Sequence, residues 1–144
     1  MATVSTILGG KGRDVAVVEP HLTLEHATKL LTERRIGALV VLGADQRVIG
    51  IISERDIVHA LADRGIAALQ EPLSQSMTRT VITCSEADTV VAVMETMTQG
   101  KFRHVPVVEN GRLAGIVSIG DLVKHRLFEM EQESSAMQDY IRTA

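Results

Sequence analysis

Aromatic side chains are almost missing from this chain: two Phe, one Tyr and no Trp among 144 residues. Any core must therefore be filled by Val, Ile, Leu, Ala and Met, a composition suited to a parallel or mixed sheet with helices on its faces. There is one cysteine, Cys84, so no internal disulfide can form and a reducing compartment is the natural setting. There is no basic run, and the formal net charge is −3, which argues against a nucleic-acid or anionic-membrane surface. No stretch approaches the ~20 apolar residues of a membrane span, and the N-terminus carries no signal-peptide pattern. A soluble, cytoplasmic protein is the expectation. The length suits one compact domain or two tightly packed half-size ones.

What is present is a phrase used twice. Val48-Ile49-Gly50-Ile51-Ile52-Ser53-Glu54-Arg55-Asp56 reads as a short buried strand running into a helix. Ser53 is placed as an N-cap hydroxyl, and Asp56 stands three residues on in an acidic capping box. The phrase returns as Leu113-Ala114-Gly115-Ile116-Val117-Ser118-Ile119-Gly120-Asp121, and both Ser53 to Ser118 and Asp56 to Asp121 span 65 positions.

The surroundings repeat as well. Val4, Ile7 and Leu8 have helical spacing, and Gly9-Gly10-Lys11-Gly12 is expected to break that helix. Val15 to Val18 reads as a brief strand. Thr23 caps a helix with Leu24, Ala27, Leu30 and Leu31 inward. Ile36 to Leu42 and Val48 to Ile52 form a hairpin around Gly43-Ala44-Asp45-Gln46, and the helix after Ser53 ends at Gly65. The second pass runs through a strand at Thr80 to Thr83, a helix from Asp88 or Thr89 to Gly100, and a strand from Phe102 to Val108. An Asn110-Gly111 turn and a strand from Leu113 to Val117 complete it. Each half thus reads strand-helix-strand-strand-helix, linked by Ile66 to Met77. The last helix continues from Asp121 to Ile141, about 30 Å at ~1.5 Å per residue. Its Leu127, Met130, Met137 and Ile141 form a stripe open to a second subunit, a partner or solvent.

These residues resemble a tandem pair of CBS domains, and more narrowly the small bacterial stand-alone CBS-pair proteins. The match is carried by Gly50 to Asp56 and Gly115 to Asp121. Thr23, Ile36-Gly37-Ala38-Leu39-Val40-Val41, Met77-Thr78 and Phe102-Arg103-His104-Val105-Pro106-Val107 add to it. The resemblance implies an α/β (α+β) fold of two pseudo-twofold-related β-α-β-β-α motifs with a short leading helix and a long C-terminal helix. By chain order the division is 1–77 and 78–144. It further implies adenine nucleotides bound in two clefts between the halves, and assembly of two pairs into a homodimer. Asp56 and Asp121 would accept hydrogen bonds from ribose hydroxyls, and Ser53 and Ser118 would contact ribose or phosphate. Asp14, Val15, Ala16, Thr80, Val81 and Ile82 would border adenine, with Phe102 and Pro106 beside them. The chemistry agrees: a carboxylate can take both hydroxyls of a cis-diol, and a helix N-terminus favours an anion. The plainer reading is that both Ser/Asp pairs only cap helices.

Aligning the halves sets Gly37-Ala38 against Arg103-His104. An Arg fork holds phosphate through two hydrogen bonds, so the expectation is a cleft of Ser118, Asp121, Arg103 and His104 that takes AMP or ADP. The cleft of Ser53 and Asp56 has small residues there, with Arg55 either partly replacing the cations or facing solvent, and would take a larger adenine ligand such as NAD(H) or stay empty. Gly9-Gly10-Lys11-Gly12-Arg13 lacks the spacing of a phosphate loop; it is a connector, or it brings Lys11 or Arg13 to a bound phosphate. His21, His26, His59 and His125 lack metal-ligand spacing, so no metal is expected, and Cys84 has no matched base. The leading function is a non-enzymatic adenine-nucleotide sensor acting on an unknown protein target. The alternatives are a dimeric scaffold with vestigial clefts and, less favoured, a small hydrolase or transferase.

Overall fold

The computed structural model describes residues 1–143. Helix α1 (Val4–Lys11) leads, followed by β1 (Val17–Val18), α2 (Leu24–Arg34), β2 (Ala38–Leu42), β3 (Val48–Ser53) and α3 (Glu54–Arg64). Two 3-10 turns, Ile66–Gln70 and Leu73–Gln75, form the link. The second half supplies α4 (Val90–Gly100), β4 (His104–Glu109), β5 (Arg112–Ser118) and α5 (Ile119–Thr143). This mixture of helix and strand is the expected α+β class.

Local chemistry accounts for most boundaries. The hydroxyls of Thr23 and Thr89 accept from the amides of His26 and Ala92, capping α2 and α4. Gly65 ends α3 with a positive φ of 70°. In the second hairpin Asn110 and Gly111 both adopt positive φ, as a type I′ turn needs. Register confirms the alignment of the halves: Ala38 pairs with Ser53 on the first hairpin, and His104 pairs with Ser118 on the second.

Three expectations are corrected. Gly9-Gly10-Lys11 does not break the leading helix; α1 runs to Lys11, and Gly12 turns the chain with a φ of 100°. Burial of Val4, Ile7 and Leu8 outweighs the cost of two helical glycines, about 1 kcal/mol each. Second, that burial lies in the core of the second half, with Val90, Val93, Met97, Val105, Val117 and Leu122. The first-half core, around Leu24, Leu39, Ile52 and Leu73, contains none of α1. Chain order and spatial grouping thus differ for the leading helix. Third, the strand expected at Thr80 to Thr83 is absent. In the first half β1 pairs parallel with β2, whereas in the second the corresponding contact is one parallel bridge from Cys84 to Val107. The preceding segment is drawn away, because Thr78 bridges to Ile51 on the other half's sheet.

Helix α5 spans 25 residues, and Leu122 is its buried residue. Leu127, Phe128, Met130, Met137, Tyr140 and Ile141 are all more than half exposed. Among the described residues no helix is long and apolar enough to cross a membrane.

Candidate functional site

The two Ser/Asp junctions form as capping boxes. Ser53 N donates to Asp56 Oδ2 at 2.9 Å, and Asp56 N donates back to Ser53 Oγ at 3.3 Å. Ser118 N donates to Asp121 Oδ2 at 2.9 Å, and Asp121 N to Ser118 Oγ at 3.1 Å. Oδ2 of each Asp is thereby held by its own helix start, and each carboxylate takes a third group, on Oδ1 at Asp56 and on the same Oδ2 at Asp121.

That third group differs. At the first junction the Thr78 hydroxyl donates to Asp56 Oδ1 at 3.0 Å. Thr78 is placed by backbone bonds to Ile51: its amide donates to the Ile51 carbonyl at 2.8 Å, and the Ile51 amide donates to its carbonyl at 3.0 Å. Gly50 allows this approach, since a Cβ there would meet Met77 Sδ at 2.6 Å and the Thr78 carbonyl at 3.1 Å. At the second junction Lys11 Nζ donates to Asp121 Oδ2 at 2.7 Å and to the Ile116 carbonyl at 3.0 Å. Gly115 admits α1 in the same way; a Cβ there would meet Leu8 Cδ2 at 2.8 Å.

A cavity of about 300 Å³ opens at the first junction. Its wall includes Gly37, Ser53, Arg55, Asp56, Thr80, Val81, Ile82, Phe102, Arg103 and His104. Ten of the sequence-derived candidates are therefore brought together. Arg103 and His104 line this cavity with Asp56, because the start of β4 faces the start of α3 across the two halves, while His104 also pairs with Ser118 and feels the Asp121 charge. The His104 ring lies 3.4 Å from where a Cβ on Gly37 would sit. The small residue opposite the cations does not leave that cleft uncharged; it makes room for the other half's cations to enter it.

Of the remaining candidates, Ser118 and Asp121 form the second junction and do not line this cavity. Ala38 is buried in β2, and Pro106 is buried in β4 with its carbonyl accepting from Cys84 N at 3.0 Å. Val15 and Ala16 are half-buried on the approach to β1, Ala16 packing on the first core and accepting from Val40 N at 3.1 Å. Sequence reasoning missed Ile51, Glu54, Thr78, Gly100 and Lys101, all in the cavity wall. Met77-Thr78 belongs to the stretches that carry the family resemblance, and Gly50, on the strand it crosses, is the available signal for a close approach there.

Electrostatically the cavity joins Arg55, Lys101 and Arg103 to the carboxylates of Glu54 and Asp56. Burial lowers the pKa of His104 below its usual 6.5, Lys11 and Arg103 adding to the effect while Asp121 and Glu54 oppose it. His104 is thus neutral near pH 7 and can both donate and accept. Burial alone would raise the Asp121 carboxyl, but the hydrogen bonds from Lys11 and Ser118 win and hold it below 3.8. Cys84 lies outside the cavity, its thiol pushed up to about 12 by burial and then by Asp88 and Glu109. Among the described residues no group of three or more His, Cys, Asp or Glu is placed to hold a metal ion.

The duplicated junction has its counterpart among known proteins, for the CBS-domain family matches residues 11–63 and again 73–127. The chain belongs to the CBS-domain family. Its two CBS motifs are similar to an uncharacterized 17.7 kDa protein of Acidianus ambivalens, 41% identical over 76% of this chain and 66% of the relative. The chain spans about two thirds or less of the curated relatives first matched. Among solved structures, a CBS-domain-containing protein of Agrobacterium tumefaciens is 50% identical, covering 87% of this chain and 99% of that one at a TM-score of 0.84. The CBS domain pair of protein MJ0100, solved with 5′-methylthioadenosine and S-adenosyl-L-methionine, is 29% identical at a TM-score of 0.78, covering 91% and 98%. Membership of this family is consistent with a regulatory, ligand-binding module.

Proposed function

We propose that this CBS pair senses an adenine nucleotide of AMP size in the cavity at Asp56 and passes its occupancy to a partner protein. The observation that supports this most is the meeting of one diol acceptor with a set of cations from the opposite half. Asp56 keeps an oxygen bonded only by the neutral Thr78 hydroxyl, which a ribose hydroxyl can replace at little electrostatic cost. Arg103, with Lys101 and Arg55, offers charge-assisted bonds to phosphate. The apolar stretch at Val81, Ile82 and Phe102 suits a flat base. A volume of about 300 Å³ is at the small end for ligand sites and favours a mononucleotide over NAD(H). The adenosine-derived ligands of the MJ0100 pair, whose fold is shared, support the choice of adenosine chemistry.

The reading is non-enzymatic and regulatory: a ligand shifts a conformational equilibrium by its differential affinity for the states. Homodimerisation belongs to the same proposal, with the exposed stripe of α5 as its cover. That stripe also favours the rival reading, an interaction protein without a ligand. A thermal-shift series separates them. AMP at a hundred times its Kd should add ~2.7 kcal/mol of apparent stability; no shift with AMP, adenosine or S-adenosyl-L-methionine at millimolar concentration would leave the scaffold reading.

A further inference from the structure

Each junction presents a strand carbonyl and an aspartate to a different donor: Thr78 bonds Asp56 through Oδ1, whereas Lys11 bonds Asp121 through the Oδ2 that also accepts from Ser118 N. Ile51 and Ile116 stand 65 positions apart, as do Asp56 and Asp121. At the first junction both acceptors are met by Thr78, through its amide and its hydroxyl. At the second both are met by the Lys11 ammonium. A neutral donor leaves the Asp56 charge available; the ammonium cancels that of Asp121.

The contact is built into the fold rather than made by a roaming side chain. Val4, Ile7 and Leu8 anchor α1 in the second core, Leu8 seats against Gly115, and Lys11 is the last residue of that helix. The Lys11 charge also acts on His104, the ring that borders the neighbouring cavity, and helps to lower its pKa.

We infer that Lys11 is an internal competitor for the Asp121 junction, so that the chain holds nucleotide first at Asp56 and admits one at Asp121 only when Lys11 is displaced. The inference rests on the diol-binding role proposed above for these carboxylates. The Lys11 and Asp121 side chains are 33% and 27% exposed, so the pair is partly screened. Its competition then amounts to about a threefold to fivefold loss of affinity at the second junction, a bias in the order of filling and not a seal.

The decisive experiment isolates the Asp121 junction with Asp56→Asn and titrates adenosine, which has the diol but no phosphate. Adding Lys11→Met to that background should tighten adenosine binding about threefold to fivefold. Unchanged or weaker binding overturns the inference, weaker binding meaning that Lys11 assists a ligand. Absence of adenosine binding in both variants, while the unaltered chain still binds AMP, overturns it too. Failure of the unaltered chain to bind AMP would count against the proposed function instead. The contact itself is then judged by carbon-13 titration of the Asp121 carboxyl. Its pKa should rise on Lys11→Met, and an identical titration would show that Lys11 does not hold it.

Discussion

Gly50→Ala tests the crossing that builds the cavity. A Cβ at Gly50 would lie 2.6 Å from Met77 Sδ, 3.1 Å from Met77 Cγ and 3.1 Å from the Thr78 carbonyl. Met77 is 7% exposed and packed in the first core, so its thioether has little space to yield. The Thr78 carbonyl is held by the Ile51 amide at 3.0 Å. Overpacking of this kind costs about 1–3 kcal/mol. With an unfolding entropy of ~2.1 cal/mol/K per residue, a chain of 144 residues loses about 3 °C of Tm per kcal/mol. The expected fall is therefore about 3–10 °C, read by calorimetry or circular dichroism. Because the segment pushed away supplies Thr78, Thr80, Val81 and Ile82 to the cavity wall, AMP affinity should fall with it. A Tm within a degree of the parent and unaltered AMP binding would refute the claim that this glycine is required by the Met77-Thr78 crossing.

Gly9→Ala should act in the opposite direction. Gly9 lies inside α1 with nothing within 4 Å of a new Cβ, so the gain is about 0.5–1 kcal/mol in denaturant unfolding. His104 makes stability pH-dependent: its pKa is lowered in the folded state, so the unfolded chain binds more protons just below pH 6.5. Stability should decline as pH falls from 6.5 toward the lowered value, and His104→Asn should flatten that window in pH-resolved unfolding. The Asp121 carboxyl contributes in a lower window: its stabilisation is present above the unfolded pKa near 3.8 and is lost as pH falls through the folded value. Cys84, with its thiol pushed up to about 12, should resist alkylation by iodoacetamide at pH 8 in the native state and react on unfolding.

Local chemistry was legible in the residues themselves. The Thr23 and Thr89 caps, both Ser/Asp capping boxes, Gly65 and the Asn110-Gly111 turn each follow from a side chain acting within a few positions. The repeat also located both junctions, and the resemblance to CBS pairs pointed to Thr80, Val81 and Ile82 in the cavity wall. What could not be read were relations between the halves. Periodicity places Arg103 and His104 at the start of β4, but only the packing of β4 against Gly37 brings them into the cavity wall beside Asp56. Glycines in α1 predict a break until the second core is seen to bury Val4, Ile7 and Leu8. Thr80 to Thr83 has strand composition, yet pairing of Thr78 with Ile51 removes it from its own sheet. Lys11 reads as part of a connector or as a cation for a bound phosphate, and nothing near it in sequence signals its bond to Asp121, 110 positions away.

The measurement that bears most directly on the account is calorimetric titration of AMP into the unaltered chain, Asp56→Asn and Asp121→Asn. Loss of hydrogen bonds to a charged acceptor, worth about 1.5–3 kcal/mol, predicts that Asp56→Asn weakens the tighter AMP event at least tenfold. Asp121→Asn should leave that event within about twofold, because Asp121 does not line the cavity. Equal losses in both variants, or loss on Asp121→Asn alone, would contradict an AMP site built on Asp56 and Arg103.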